Sequence, residues 1–345
     1  MVSLNHLFFP MVKCYDLIPK VFFHDMTFQG LAGTRFTYFN EDENVTPSPR
    51  LLHVAALQGS VKLLKIVLDA GIPVDVRDEE GTTALILACR YNNYKCAKIL
   101  LKQGADPMAQ RLTGTSSLCY AAQGGYLKIV KLLIKYGADI EACGMDGGTP
   151  FLIACQCNHL DVVQELISHG ADFEKKMIDN ATPLYIASQN GHLKIISYLA
   201  SCGADINARR VDGSSALCVA CQMGHTAVVE ELINCGADVN SARQDGCTPL
   251  FKAAHKGFAG IVKLLISKGA YQGLLKNGES PLHAAAFYGH INVVKILIES
   301  GSDPFLKNKT GHTALQKSQE GGHIIIYQYL LRIENEKNST AARSS

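Results

Sequence analysis

Apolar residues come in short bursts along this chain, and the bursts keep time. From Leu127 to Lys135 the order Leu-Lys-Ile-Val-Lys-Leu-Leu-Ile-Lys places apolar side chains at i, i+3 and i+6 to i+7, the spacing of one helical face. A shorter stretch, Ser117 to Ala122, precedes it with small residues on one side and reads as a first helix. Gly125 stands between the two as a left-handed helix stop, and Gly137 ends the second helix. Ala138 to Ala142 is then expected to run extended into the next turn. The predicted unit is helix, tight turn, helix and protruding hairpin loop.

The unit repeats. One glycine series falls at Gly81, Gly114, Gly147, Gly213, Gly246, Gly278 and Gly311, in steps of 33 apart from one double step and one step of 32. Asn180 fills the double step. A second series runs from Gly71 through Gly104, Gly137, Gly170, Gly203, Gly236 and Gly269 to Gly301, and a third from Gly59 to Gly322 with Asn92 and Asn158 as its only replacements. Asparagine is the residue that best tolerates left-handed backbone after glycine. Three phase-locked series therefore mark three special backbone positions per unit, and a unit repeated in register predicts an all-α solenoid in which each copy packs only on its neighbours.

The first helix opens with a recurrent sequence. It is fullest at Ser280-Pro281-Leu282-His283-Ala284-Ala285-Ala286 and partial at Thr149-Pro150-Phe151, Thr182-Pro183-Leu184 and Thr248-Pro249-Leu250. A Gly-Ala-Asp ending stands at Gly104, Gly137, Gly170, Gly203 and Gly236. In these residues the segment 48–332 resembles the ankyrin-repeat family, with about eight full repeats and a C-terminal capping repeat over Asn308 to Arg332. Stretches at Ala121 to Tyr126, Cys221 to His225, Arg243 to Gly246 and Leu275 to Gly278 are similar to a subgroup built of these repeats and little else.

The resemblance implies an ankyrin-repeat solenoid and a non-catalytic protein–protein interaction module, an adaptor or scaffold. Its partner would lie on the concave face formed by inner helices and hairpin tips. The alternative is a regulatory or inhibitory subunit of an enzyme complex, which would use the same surface. The family also implies that Asn207 and Asn240, with Leu199 and Leu232 eight positions before them, resemble sites of an asparaginyl hydroxylase.

Composition narrows the function classes. A net charge of +2 argues against coating nucleic acid. No run of 18 apolar residues exists, so no membrane insertion is expected. The opening residues lack a basic segment followed by a long apolar one, so a secretory signal is not expected and the location read is cytoplasmic, with a nuclear one open. Of the twelve cysteines, Cys89, Cys155 and Cys221 share one repeat position with Ala56, Ala122, Ala254 and Ala286, which marks them as small fillers. Cys218 and Cys221 form an isolated CxxC, and Cys155, Cys157 and His159 have ligand chemistry but not ligand placement, so neither metal nor cofactor is expected. No Walker loop, Gly-x-Ser-x-Gly or His-Glu-x-x-His occurs, and no catalytic residue is assigned.

The ends depart from the unit. Residues 1–47 hold seven of the thirteen phenylalanines and read as an irregular N-terminal cap, a docking segment or a poorly ordered stretch, closing in an acidic, proline-containing linker. Residues 333–345 are mostly polar or small and read as a disordered tail.

Three features are expected to meet a partner, with the chain itself a monomer. Gln123, Gln156, Gln189 and Gln222 recur every 33 residues and should stack in a row. They would either bond one another and set register, or present amides to an extended peptide. The hairpin tips turn basic from the middle onward, with Arg209, Arg210, Arg243 and Lys276 among them, which would steer an acidic segment. Between Gly269 and Gly278 one residue is missing and Tyr271 enters, while His255, Lys256, Phe287 and Tyr288 lie at inner-helix positions nearby. Aromatic and charged anchors of this kind suit a binding hot spot, although a bent junction could bury them instead.

Overall fold

The computed structural model describes residues 47–145 and 147–344, with side chains described to residue 339. The phenylalanine-rich segment 1–46 lies outside the described residues. The described chain forms eighteen helices in nine consecutive pairs. In the type unit the first helix spans Ser117–Gln123 and the second Leu127–Lys135, as the periodicity predicts. The chain starts with Pro49–Gln58 paired to Val61–Asp69 and finishes with Ala314–Glu320 paired to Ile324–Ser344.

The recurrent opening sequence works as a helix start. Thr149, Thr182, Thr248 and Ser280 are N-caps, and each hydroxyl accepts the N–H three residues on at 3.1–3.3 Å. Proline follows each of them, where its missing N–H costs nothing and its fixed φ already suits the helix. His283 completes the last of these starts: its Nδ1 lies 2.7 Å from Ser280 Oγ, and its Nε2 donates to the carbonyl of His312 at 3.0 Å.

Both helices feed one core. All six residues from Ser117 to Ala122 are buried, whereas the second helix buries only Ile129, Val130, Leu132 and Leu133. First helices pack on the first helices of both neighbouring units and on their own second helix. Close approach between them requires small side chains, and fully buried Cys89, Cys155 and Cys221 share that seam with fully buried Ala56, Ala122, Ala254 and Ala286. The described cysteines are free thiols. Burial pushes Cys89 and Cys247 up to about 12, which removes the thiolate needed for nucleophilic or redox work.

Hydrogen bonds fix the register between units. The Nε2 groups of His159, His192, His225 and His290 reach back to the carbonyls of Gln123, Gln156, Gln189 and His255 at 2.8–3.1 Å. Those carbonyls lie at first-helix C-termini, where no intrahelical partner exists, so the histidines supply the missing donors. Asn93 does the same at the first junction, donating to Ala56 and Leu57 carbonyls at 2.8 Å.

Two segments differ from expectation. Ala138 to Ala142 does not extend; the Asp139 carboxylate accepts the Glu141 N–H at 2.8 Å and closes an Asx turn. The last helix does not end near Arg332 but continues to Ser344, through the stretch read as a tail. Glu, Lys, Asn and Ala fill that continuation, and several of them favour helix without needing a packing partner.

Candidate functional site

The hairpin tips are β-turns. The N–H of Gly114, Gly213 and Gly246 bonds the carbonyls of Arg111, Arg210 and Arg243 at 2.9–3.0 Å, and Asn180 does so with Met177. The turn requires positive φ at its fourth residue, and Asn180 meets this at φ 64. Successive tips are also joined, since Leu112 N–H bonds the Glu80 carbonyl at 3.0 Å and Val211 N–H bonds that of Asp179 at 3.1 Å. The tips therefore form a connected edge.

The basic residues of this edge fall into two groups. Arg111, Arg210 and Arg243 each reach the carboxylate 31 residues before them, Glu80, Asp179 and Asp212. Arg210 also lies over the Tyr185 ring at 5.2 Å. Lys175 pairs with Glu141 at 2.8 Å, and that hydrogen bond raises its pKa. Lys175, Arg210 and Arg243 of the expected positive row are thus paired within the protein. Arg209, Lys176 and Lys276 are exposed and make no ion pair among the described residues, and Arg209 donates to the Ala242 carbonyl at 3.0 Å.

The tips also carry an apolar feature. The second residue of four consecutive turns is apolar and open to solvent: Leu112 is 70 % exposed, Met145 77 %, Ile178 76 % and Val211 60 %. Its signal in the sequence is a 33-residue spacing of apolar residues at one turn position, masked by the basic residues beside it.

The glutamines lie on the last turns of their helices and are half-buried. Among the described residues no hydrogen bond joins their side-chain amides. Three of them contribute to register through backbone carbonyls instead, as acceptors of the histidine bonds described above.

Of the residues around the missing position, the structure brings some together. The His255 and Tyr288 rings lie 4.3 Å apart, and Phe287 meets Tyr288 edge-on at 5.0 Å. Lys317 Nζ stands 4.7 Å from the centre of the Phe287 ring. Tyr288 is 40 % exposed, so the cluster opens to solvent. His255 Nδ1 is buried without a hydrogen-bond partner among the described residues, and burial with nearby Lys256, Lys252 and His290 pushes its pKa down to about 4. Tyr271 makes no ring contact with this cluster among the described residues. It stands 54 % exposed where other units carry the Asp of the Gly-Ala-Asp ending, and without that carboxylate the loop closes through a Gly273 N–H bond to its carbonyl at 2.9 Å.

Asn207 and Asn240 are cross-unit clamps. Asn207 accepts the Asp238 N–H at 2.9 Å and donates to the Gly236 carbonyl at 3.2 Å. Asn240 accepts the Tyr271 N–H at 3.0 Å and donates to the Gly269 carbonyl at 3.3 Å. Asp75, Glu141 and Glu174 accept the corresponding N–H in other units.

His192, His255 and His283 all have pKa values lowered by burial. The unfolded chain then binds more protons than the folded one below the ordinary histidine value. The associated stability is fully present above about pH 6.5 and is lost as pH falls towards about 4. Thermal midpoints should decline across that window, and less steeply for His255→Leu than for the wild type. Equal slopes would show that folding does not lower the His255 pKa.

No group of three or more His, Cys, Asp or Glu among the described residues is arranged to hold a metal ion. No helix of the described residues is long and apolar enough to cross a membrane. The family model for ankyrin repeats, three copies to the model, matches residues 37–111, 118–210, 204–276 and 271–342. No curated protein matches the chain.

Proposed function

Because the chain belongs to the ankyrin-repeat family, we propose that it is a non-catalytic adaptor or scaffold that holds a protein partner on its inner-helix ends and hairpin tips. The observation that carries this reading is the His255–Phe287–Tyr288 cluster, an exposed aromatic anchor beside a buried ring nitrogen that no group among the described residues satisfies. Exposed rings held rigidly by neighbours are the usual centre of a binding hot spot. Among the described residues, half-buried Gln123, Gln156, Gln189 and Gln222 add amides not bonded to one another, and exposed Arg209 and Lys276 add positive charge outside any ion pair, for an acidic or extended segment. A surface held in place by inter-unit hydrogen bonds loses little freedom on association. Free, buried thiols suit a reducing compartment such as the cytoplasm or nucleus. The four stretches noted above carry the likeness further, to ankyrin repeat domain-containing protein 29, another chain made almost wholly of such units.

Capture of partners from cell extract by the full chain tests the reading. The double variant Phe287→Ala, Tyr288→Ala should keep its helical circular dichroism and lose captured partner by about tenfold, as truncation of a hot spot does. Undiminished capture would remove the cluster from the binding face. Hydroxylation of Asn207 and Asn240 is a further expectation from the family; their amides are engaged on both sides, so oxygen should be added only when the unit opens. Mass spectrometry of protein from cells reads the added mass directly, and unmodified peptides would count against it.

A further inference from the structure

Leu112, Met145, Ile178 and Val211 are each the second residue of a hairpin-tip turn, in four consecutive units. Single exposed apolar residues need no explanation. Four at one structural position are different, because the turn does not require them: the same position holds Glu79 before the run and Gln244, Lys276 and Lys309 after it. They contribute little to the core, being 60–77 % exposed. The apolar row is therefore a surface feature with defined ends.

Its pitch points to an occupant. Stacked helices lie about 8–10 Å apart, and the backbone bonds between tips hold successive turns to that stacking. A polyproline II segment advances about 9 Å per turn of three residues. One face of such a segment would thus meet one tip per turn, with an apolar side chain at every third position. Charge fixes more of its composition. Lys176 and Arg209 lie two residues before Ile178 and Val211, are exposed, and make no ion pair among the described residues. The neighbouring Arg210 is spent on Asp179.

We infer that the tip row Leu112–Met145–Ile178–Val211 is a docking edge for a polyproline II protein segment with an apolar residue at every third position and acidic residues between. The inference rests on the interaction reading above and names the class of partner segment.

A fluorescent peptide repeating Leu-Pro-Glu over four units is the probe, with a control of the same composition whose leucines are clustered. Fluorescence polarisation with the full chain should show the periodic peptide binding at least about tenfold more tightly than the control. The variant Leu112→Ser, Met145→Ser, Ile178→Ser, Val211→Ser should lose that binding by at least about tenfold. The variant Lys176→Glu, Arg209→Glu should weaken it several-fold and make it less sensitive to salt. Circular dichroism checks that the variants fold; should the fourfold variant fail, Ile178→Ser with Val211→Ser carries the same expectation. Equal binding of both peptides, or binding untouched by the serines, overturns the inference. So does sedimentation showing a wild-type dimer that the serine variant abolishes, since a second copy would then cover the row. If the serine variant still captures the cellular partners and the peptides are not discriminated, the tip-row inference fails and the interaction reading stands.

Discussion

Phe151→Ala should cost about 3–5 kcal/mol, among the largest losses available to a single substitution in this chain. Phe151 is 1 % exposed and sits in the first turn of the helix Pro150–Gln156. That helix packs on Ser117–Gln123 on one side and on Pro183–Asn190 on the other. In a stack stabilised only by nearest neighbours, a cavity at this point weakens one unit and both of its interfaces. Urea unfolding followed by circular dichroism should therefore change from one transition to a broad or split one, as the two halves uncouple. A single transition displaced by under about 1 kcal/mol would mean that the units do not depend on this junction.

Gly224→Val is the second large effect. Gly224 ends the helix Ala216–Met223 at φ 82, with its N–H bonded to the Ala220 carbonyl at 3.0 Å. A β-branched residue there is strained by about 1–3 kcal/mol from the backbone alone. A Cβ at that position would also meet the Phe258 ring at 2.6 Å, which adds about 1–3 kcal/mol of overpacking. Gly224→Asn should be far milder, because Asn92 and Asn158 hold the same position at φ 60 and 64, each followed by an aromatic ring one unit on, Tyr126 and His192. Thermal denaturation of the two variants should show valine well below asparagine. Matching midpoints would remove backbone handedness as the reason for the glycine series.

The handedness of the chain was plain in its sequence, because glycine and asparagine are the residues that adopt positive φ at little cost. The three series of glycines, with Asn92, Asn158 and Asn180, are the positive-φ positions among the described residues. Helix bounds followed equally well where apolar spacing was regular, as at Leu127–Lys135. The site was less legible. Tip arginines read as a positive row, yet Arg210 and Arg243 each face an acid 31 residues back, a partner that a 33-residue comparison steps over. Tyr271 lies on the loop between Gly269 and Gly278, as its sequence position implies, and its ring makes no contact with the aromatic cluster among the described residues, which spacing along the chain does not reveal. The glutamines hid their contribution to register, since it comes from backbone carbonyls that any residue would offer.

Amide hydrogen exchange on the full chain, alone and saturated with a captured partner, shows where that partner sits. Protection confined to the hairpin turns from Leu112 to Val211 and to the helix ends around His255 and Tyr288 is the expected result. Protection confined to the second helices, with turns and first-helix ends unchanged, would contradict the proposed binding face.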